Sequence, residues 1–264
     1  MDKVFWWLRQ TEKDILEKFA TMSGLSSIGD AHDWVYIEGT NKNPVCIVAH
    51  ADTVHRTEPS KIYHDPKARV CWSPSGLGAD DRAGCYAAWK LWNKLKGKHS
   101  VLITTGEESG GIGARNAAAF LGDDLEKNSF FIQLDRRGHS DAVFYDVSTN
   151  EFEDYILESL PRFKHEHGSF TDICILCPTA GRCGVNLSIG YRNEHTKHEY
   201  LNLKSMEKTI GDITQFLKKG EMPIYKMDKR TITPRKTYTY GQGGIFFQQN
   251  RDGWGNVTPC QATS

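Results

Sequence analysis

The sequence predicts an α/β fold in which a mixed, mainly parallel sheet carries helices on both faces. The continuous apolar run at residues 45–49 and the largely apolar segments at 101–105 and 130–134 are typical of strands that are buried on both faces. Segments with apolar residues three and four positions apart separate these runs and predict amphipathic helices. Strands that alternate with helices in this way favour parallel strands joined by crossover helices.

The first part of the chain supplies the edge of this sheet and its first buried strand. Apolar residues near one face predict a helix over residues 4–22. A short strand is expected over residues 34–37, followed by the buried strand over 45–49. Weaker strand signals lie near Ile62 and Val70.

The middle of the chain begins with a Gly-rich turn at residues 75–78. The apolar spacing that follows predicts a helix over residues 83–95. The buried strand over 101–105 comes next, and a run of small residues predicts a helix over 114–121.

The remaining part of the predicted domain continues the alternation. Strands are expected over residues 130–134, 142–145 and 185–190. Helices are expected over residues 152–160 and 203–217, and the second of these has its apolar residues on one face.

The composition excludes several classes of partner. The 264 residues include 33 basic and 33 acidic side chains, which give a net charge of zero. This balance argues against nucleic acid or an anionic membrane as partner, and no stretch is long and apolar enough to span a bilayer. The apolar block at residues 5–8 is too short for a secretory signal, so we expect a cytoplasmic location.

Seven cysteines are an odd number, and their scatter argues against a disulfide framework. The spacing of Cys174, Cys177 and Cys183 could suggest a zinc knuckle or a redox pair. However, the run between the first two is apolar and no fourth ligand is evident, so buried free thiols are the favoured interpretation. A turn is expected at residues 178–181.

The length fits one catalytic domain, over residues 1–219, with an appendage over residues 220–264. The appendage is rich in Gly, Thr, Gln and aromatic residues. A loosely packed tail is the simplest interpretation. Its aromatic residues leave open docking onto the domain or onto another subunit.

Acidic and imidazole side chains collect where the predicted strands end or helices begin, which is where open parallel sheets place their sites. Before a helix, Asp80 and Asp81 would ordinarily act as caps. Several charged groups at one sheet edge are unfavourable, however, unless a cation neutralises them. The residues concerned are His50, Asp52, Asp80, Glu107, Glu108, Asp135 and His195.

These donors are imidazoles and carboxylates, without an obvious thiolate, and such a set suits zinc, cobalt or manganese. Two imidazoles and three carboxylates can hold two ions if one carboxylate bridges them. We expect Asp80 to be the bridging group. Paired ions ~3.5–4 Å apart polarise a carbonyl group and generate hydroxide from water.

Five segments of the chain resemble, in order, the site segments of the co-catalytic zinc exopeptidase superfamily, which includes peptidase T, aminoacylase-type deacylases and zinc aminopeptidases. The resemblance covers roughly residues 45–217 and implies a zinc-peptidase-like three-layer sandwich. Each segment is weak evidence alone, but five in the family's order are specific. The segments are residues 50–54, 78–81, 107–108, 135 and 193–201.

The resemblance implies the metal ligands by position. Asp80 would bridge two ions, most simply zinc. His50 and Asp135 would complete one ion site, and Glu108 and His195 would complete the other.

It also implies roles for the neighbouring residues. Asp52 would orient His50, and the peptide bond between Asp80 and Asp81 would be cis. Glu107 would be the general base that takes a proton from water and passes it to the leaving amine.

One departure from the superfamily concerns its lid. Peptidase T and the deacylases carry a lid and dimerisation domain before the final histidine, and residues 136–194 are too few to contain it. We therefore expect a single catalytic domain without the lid-mediated dimer. Arg136 and Arg192 are candidates for binding a substrate carboxylate, with surface solvation as the alternative for each.

The predicted function is that of a zinc-dependent exopeptidase, either an aminopeptidase or a di- or tripeptidase, acting on small peptides. Three alternatives stay open. The first is an N-acyl amino acid deacylase, and the second is a non-catalytic binding or assembly protein on a peptidase fold. The third is a two-metal phosphoesterase, which shares the donor types but not the order of the motifs.

Overall fold

The computed structural model describes four stretches of the chain, residues 2–22, 26–28, 33–218 and 220–229. Their contacts belong to one compact unit within Met1–Ile232. The appendage expected over residues 220–264 lies outside the described residues from residue 230 onward. None of the described helices is both long and apolar enough to cross a membrane.

The described residues form twelve strands and eight helices. The strands are β1 (Ser26–Ile28), β2 (Trp34–Ile37), β3 (Cys46–His50), β4 (Tyr63–Asp65), β5 (Val70–Trp72), β6 (Ser100–Thr104), β7 (Phe131–Arg136), β8 (Asp141–Val143), β9 (Lys164–Glu166), β10 (Gly184–Ser188), β11 (Tyr191–Arg192) and β12 (Tyr200–Asn202). The helices are α1 (Asp2–Trp7), α2 (Glu12–Ala20), α3 (Ala79–Lys94), α4 (Ile112–Leu121), α5 (Asp123–Glu126), α6 (Asn150–Ser159), α7 (Ile173–Ala180) and α8 (Leu203–Leu217).

The main sheet has eight strands in the order β1-β2-β6-β3-β7-β10-β8-β9. Its central strands β6, β3, β7 and β10 run parallel, whereas β2 and β8 pair antiparallel on either side of them. A smaller antiparallel sheet has the order β11-β12-β5-β4. The predicted mixed sheet with a parallel centre is confirmed.

Helices cover both faces of the main sheet, and the side chains of β2 show how the layers are divided. Val35 and Ile37 pack into one core cluster, with residues of α1, α2, α3, α6 and α8. Trp34 and Tyr36 point to the opposite face and pack into a second cluster, with residues of α4, α5 and α7. Because both faces are covered, β3 and β6 are buried along their whole length, which explains why their central residues are apolar without alternation.

The prediction of one helix over residues 4–22 is wrong, because the segment contains α1 and α2 with a break between them. A capping box causes the break. The Thr11 hydroxyl accepts a hydrogen bond from the Asp14 backbone N–H, and the Asp14 carboxylate accepts one from the Thr11 backbone N–H. This exchange starts a new helix where the apolar spacing continues.

The turn predicted at residues 178–181 is also wrong in extent. Helix α7 continues through Pro178 to Ala180. Gly181, which has a φ of 61°, is its C-cap residue. Nearly all of α7 is buried, so its tertiary packing outweighs the hydrogen bond that proline removes. The buried free thiols of Cys174 and Cys177 lie in this helix, as expected.

The segment between the third predicted strand and the final histidine contains no inserted lid. All of residues 136–194 are described, and they form β8, α6, β9, α7, β10 and β11 of the two sheets. The expected single-domain architecture is confirmed. Residues 220–229 continue along this domain, since the Tyr225 N–H donates to the Ser129 carbonyl and its own carbonyl accepts from the Cys183 N–H.

Candidate metal centre

The carboxyl ends of the central parallel strands bring the predicted site residues together. His50 is the last residue of β3, and Asp135 is the next-to-last residue of β7. His50 Nε2 lies 3.5 Å from Asp135 Oδ1. The two side chains are only 1% and 8% exposed, as expected for residues at the centre of a covered sheet.

Asp80 lies between two groups of donors at the start of α3. Its Oδ1 is 3.3 Å from His50 Nε2, and its Oδ2 is 3.2 Å from His195 Nε2. The peptide bond from Asp80 to Asp81 is cis, as the resemblance implies. Each carboxylate oxygen of Asp80 therefore faces a different imidazole.

Glu108 and His195 come from loops on opposite sides of this aspartate. Glu108 follows β6, and His195 follows β11 in the loop that leads to β12. His195 Nε2 lies 3.0 Å from Glu108 Oε1. The His195 side chain is 53% exposed, so this side of the centre is open to solvent.

Asp52 links three parts of the site. Its Oδ1 lies 3.2 Å from His50 Nδ1. Its two carboxylate oxygens accept hydrogen bonds from the backbone N–H groups of Glu107 and Glu108, at 3.2 and 3.1 Å. One carboxylate thereby fixes the turn after β6 and contacts the ring of His50.

Several residues that sequence reasoning missed hold Asp135 in place. The Thr171 hydroxyl donates to Asp135 Oδ2 at 2.8 Å, and the Tyr191 hydroxyl donates to Oδ1 at 2.9 Å. Asn186 accepts from the Asp135 N–H and donates to its carbonyl. These partners are far apart in sequence and carry no motif, so no local signal identifies them.

Two buried acids next to the site were not assigned either. Asp81 is fully buried, and its carboxylate accepts from the backbone N–H groups of His50 and Gly84 at 3.3 and 3.0 Å. Asp172 is fully buried at the start of α7, and it accepts a hydrogen bond from the Thr104 hydroxyl. The adjacency of Asp81 to Asp80 was a signal for the first, whereas the sequence gives none for the second.

The acidic side chains of the centre are crowded and poorly hydrated. Burial raises the pKa of Glu107 to about 9, that of Asp172 to about 7 and that of Asp135 to about 6. Burial also raises the pKa of Asp81 well above its ordinary value, and the neighbouring charge of Asp135 adds to the effect. These shifts reflect negative charge that is neither hydrated nor neutralised.

The imidazoles respond in the opposite direction. Hydrogen bonds to Asp80 and Glu108 raise the pKa of His195 to about 11. Burial by itself would lower the pKa of His50, but the charges of Asp135 and Asp52 raise it well above the ordinary value. Both rings therefore sit in a strongly negative field that would attract a cation.

Two groups of donors could each hold a metal ion, and they share one residue. The ligand atoms of each group lie within 4.8 Å of one another. Glu108 Oε1 is buried and lies 3.0 Å from His195 Nε2, so a carboxylate oxygen and an imidazole nitrogen face each other where one ion could bind both. All donors are nitrogen or oxygen, which fits zinc, cobalt or manganese. The groups are His50, Asp80 and Asp135, and Asp80, Glu108 and His195.

The two arginines predicted as substrate contacts have different environments. Arg136 Nε lies 3.2 Å from Asp141 Oδ2, and its guanidinium also donates to the His167 carbonyl. Arg192 is exposed. Within the described residues, no hydrogen bond or ion pair joins either guanidinium to a candidate metal ligand, and substrate binding by these arginines stays a prediction.

Residues 34–172 match the family model described as Peptidase family M28. The match includes the candidate ligands of β3, α3, β7 and the loop after β6, and it ends before His195. No curated protein sequence matches the chain.

Solved structures similar to this chain share its fold at low sequence identity. The aminopeptidase PepT of Bacillus cereus is 14% identical, with a TM-score of 0.61, and the match covers 82% of this chain and 96% of that one. A tripeptidase of Staphylococcus aureus is 14% identical, with a TM-score of 0.63 and the same coverage. The TET aminopeptidase of a marine-sediment Thaumarchaeota archaeon is 12% identical, with a TM-score of 0.64, and the match covers 83% of this chain and 97% of that one.

These structures share the fold of this chain, and the family model covers the segments that carry all the candidate ligands except His195. The match spans more than half of the chain. This protein is therefore a member of peptidase family M28.

Proposed function

We propose that this protein is a cytoplasmic di-metal peptidase that hydrolyses an amide bond near one end of a small peptide. Family membership supports hydrolysis of peptides, and the family is metal-dependent. The structural neighbours include aminopeptidases and a tripeptidase, which favours an aminopeptidase or a di- or tripeptidase. The proposed catalytic domain is residues 1–219, and the residues after it have no proposed role.

The observation that carries the proposal is the position of Asp80 between two donor groups. One of its oxygens faces His50 and the other faces His195, at nearly equal distances of 3.3 and 3.2 Å. A carboxylate that only capped α3 would need neither imidazole. We therefore assign Asp80 as the shared ligand of two ions, with His50 and Asp135 on one side of it.

The second ion would be held by Asp80, Glu108 and His195. When bound, the two ions, most simply zinc, would polarise the substrate carbonyl group and lower the pKa of the attacking water. Asp52 keeps the His50 ring in the orientation that presents Nε2 to the centre, through its contact with Nδ1.

Glu107 is the proposed general base. Its pKa is raised by burial and by neighbouring acids, and the positive charge of bound ions would lower it again, so that the carboxylate could accept a proton. The Asp52 carboxylate accepts hydrogen bonds from the backbone N–H groups of Glu107 and Glu108. These bonds fix the loop that carries both glutamates. Glu107 would accept a proton from the attacking water and deliver it to the nitrogen of the leaving amine, so that one carboxyl group serves both proton transfers.

The test is metal analysis of the purified protein together with a substrate panel of aminoacyl, dipeptide, tripeptide and N-acyl amino acid compounds. We expect two equivalents of metal, hydrolysis of substrates with a free amino end, loss of activity on chelation, and recovery with zinc, cobalt or manganese. The Glu107→Gln variant, purified in the same way, controls for a contaminating peptidase.

Other outcomes would redirect or refute the proposal. Hydrolysis restricted to N-acyl compounds would identify a deacylase instead. Two bound ions without turnover of any substrate in the panel would favour a binding protein on a peptidase fold. Full turnover by a verified metal-free preparation would refute the metal mechanism.

A further inference from the structure

Glu199 is a completely buried carboxylate that contacts the start of α3 from a distant part of the chain. It lies directly before β12, in the same loop as His195. Its Oε1 accepts a hydrogen bond from the Asp80 backbone N–H at 2.8 Å, and its Oε2 accepts one from the Gly78 backbone N–H at 2.6 Å. The same oxygen lies 3.2 Å from His55 Nε2.

These contacts supply what the start of α3 lacks. The N-cap residue is Gly78, which has no side chain to accept a helix N–H, and its φ of 67° is left-handed. The carboxylate of Glu199 lies outside the helix and accepts hydrogen bonds from the backbone N–H groups in place of an N-cap side chain. Burial of a charged carboxylate is unfavourable without such donors, so the two loops are held together strongly.

Glu199 joins two loops that each carry one of the proposed metal ligands. Asp80 belongs to the loop that Glu199 binds, and His195 belongs to the loop from which Glu199 comes. The side chain of His195 is half exposed and its φ is 61°, so core packing does not fix its position. A second tether, between Arg137 and Glu194 at 2.7 Å, is partly exposed and therefore weak.

We infer that Glu199 is a positioning residue that sets the distance between Asp80 and His195, and thereby the affinity of the donor group formed by Asp80, Glu108 and His195. This inference rests on the proposed two-metal site. The other donor group, His50, Asp80 and Asp135, is fixed mainly by β3 and β7. Loss of Glu199 should therefore affect the two ion positions unequally.

The test is Glu199→Gln, which keeps the size of the side chain but replaces one acceptor oxygen by an NH₂ group. Either Gly78 or Asp80 then loses its acceptor. In titrations of the metal-free protein with Zn²⁺ or Co²⁺, we expect the second equivalent to bind ~10–100-fold more weakly, the range found for residues that orient ligands. The first equivalent should keep its affinity within about threefold.

A second readout needs no metal. Hydrogen exchange of the Gly78 and Asp80 amides in the metal-free protein should be at least about tenfold faster in Glu199→Gln, because at least one of them loses a buried acceptor. Ser100→Ala is the matched control: it removes an acceptor from the buried N–H of Gly39 at the other end of the sheet. It should leave both metal affinities unchanged.

The outcomes separate this inference from the proposed function. If the unaltered protein does not bind two ions, both are wrong. If it does, and Glu199→Gln binds both with unchanged affinity, only the inference is wrong. An equal loss of the second ion in Ser100→Ala would also overturn it, because general destabilisation would then explain the effect. If Glu199→Gln does not fold, His55→Gln becomes the test. That variant should weaken the second equivalent several-fold, and unchanged affinities would overturn the inference.

Discussion

Buried polar groups have different kinds of partner at the two ends of the central parallel strands. At the amino end, His99 is buried between two backbone groups: its Nδ1 accepts from the Val45 N–H at 3.1 Å, and its Nε2 donates to the Leu217 carbonyl at 3.2 Å. These bonds fix the tautomer of the ring and leave it neutral. At the carboxyl end, by contrast, carboxylates crowd around His50 and His195.

Other contacts at the amino end follow the same pattern as His99. Ser100 Oγ accepts from the backbone N–H of Gly39 and from the hydroxyl of Tyr36. The Arg182 guanidinium donates to the carbonyls of Asn128 and Glu126. In each of these contacts, the donor and the acceptor both come from the chain itself.

This difference indicates that the amino end of the sheet contributes to stability and that the carboxyl end is suited to binding. Buried polar groups that find partners within the chain stabilise one conformation. Buried carboxylates that outnumber their positive partners need a cation from outside the chain. A substitution at the carboxyl end should therefore change metal content and turnover, and one at the amino end should change only stability.

The largest effect is expected for Asp80→Ala, because this residue faces both donor groups. Both ions should bind much more weakly, and kcat/KM should fall by more than the ~10²–10⁴-fold typical of losing a general base. Metal analysis and steady-state kinetics measure the two effects. Asp154→Ala, on the exposed side of α6, is the control and should match the unaltered protein. Retention of two equivalents at unchanged affinity would show that Asp80 is not shared.

The neighbours Glu107 and Glu108 test the division of labour within the carboxyl end. Glu107→Gln cannot accept a proton at neutral pH, so we expect it to keep two ions, bind substrate and lose kcat by ~10²–10⁴-fold. Glu108→Gln removes one charged ligand oxygen, so we expect weaker binding of one ion and a loss of activity that added metal partly restores. Metal content and kcat of the two variants are measured side by side.

Each variant is the control for the other, since the substitution is identical and the positions are adjacent. If Glu107→Gln loses metal and Glu108→Gln retains it, the two roles are exchanged. If Glu107→Gln keeps near-normal kcat, the base is a different residue and the proposed mechanism is wrong.

Metal binding should also link the carboxyl end to the stability of the whole domain. A ligand present at 100 times its Kd stabilises the folded state by ~2.7 kcal/mol. For a domain of this size that corresponds to a Tm increase of roughly 5–10 °C. Thermal unfolding with Zn²⁺ and with a chelator measures the difference, and in Asp80→Ala it should be nearly absent. An equal Tm with and without metal in the unaltered protein would contradict the prediction.

Parts of the fold were predictable because their signals are local. The central residues of β3 and β6 are apolar because both faces are buried, and α8 (Leu203–Leu217) was predicted at its observed bounds. The first helix was predicted as one element because apolar spacing does not reveal the capping box of Thr11. Helix α7 was missed because Pro178 is a local signal for a turn, whereas burial of the helix is a property of the whole fold.

The candidate centre likewise contains residues that the sequence predicted and residues that it did not. Short sequence segments identified His50, Asp80, Glu108 and the other proposed ligands, and the structure places these residues at one edge of the sheet. Of the residues that support these ligands, Asp52 was identified because it belongs to the motif of His50. Thr171 and Tyr191 were not, and Glu199 was given no role although it lies in the segment 193–201. These three act through contacts with segments far away in sequence, and such contacts leave no pattern in a single chain.

The smallest effect on function is expected at the amino end. His99→Phe keeps a flat ring but leaves the Val45 N–H and the Leu217 carbonyl without their partner. The loss of stability should be about 1–3 kcal/mol for each buried group that stays unpaired. Metal content and kcat should not change, because the substitution lies at the opposite end of the strands from the centre. Denaturant unfolding, metal analysis and kinetics measure these three quantities.

The pH dependence of this loss tests the cause. Burial lowers the pKa of His99 below its ordinary value of 6.5, so the unfolded chain binds a proton at this residue more readily than the folded protein does. The stabilisation from neutral His99 is thus complete above pH ~6.5 and decreases as the pH falls towards the lowered folded-state pKa. Phenylalanine does not titrate. The difference in unfolding free energy between the two proteins, measured in chelator, should therefore be larger at pH 7.5 than at pH 5.5. A difference that grows at the lower pH would mean that the buried ring is charged, and the two ends of the sheet would then not differ in the way described.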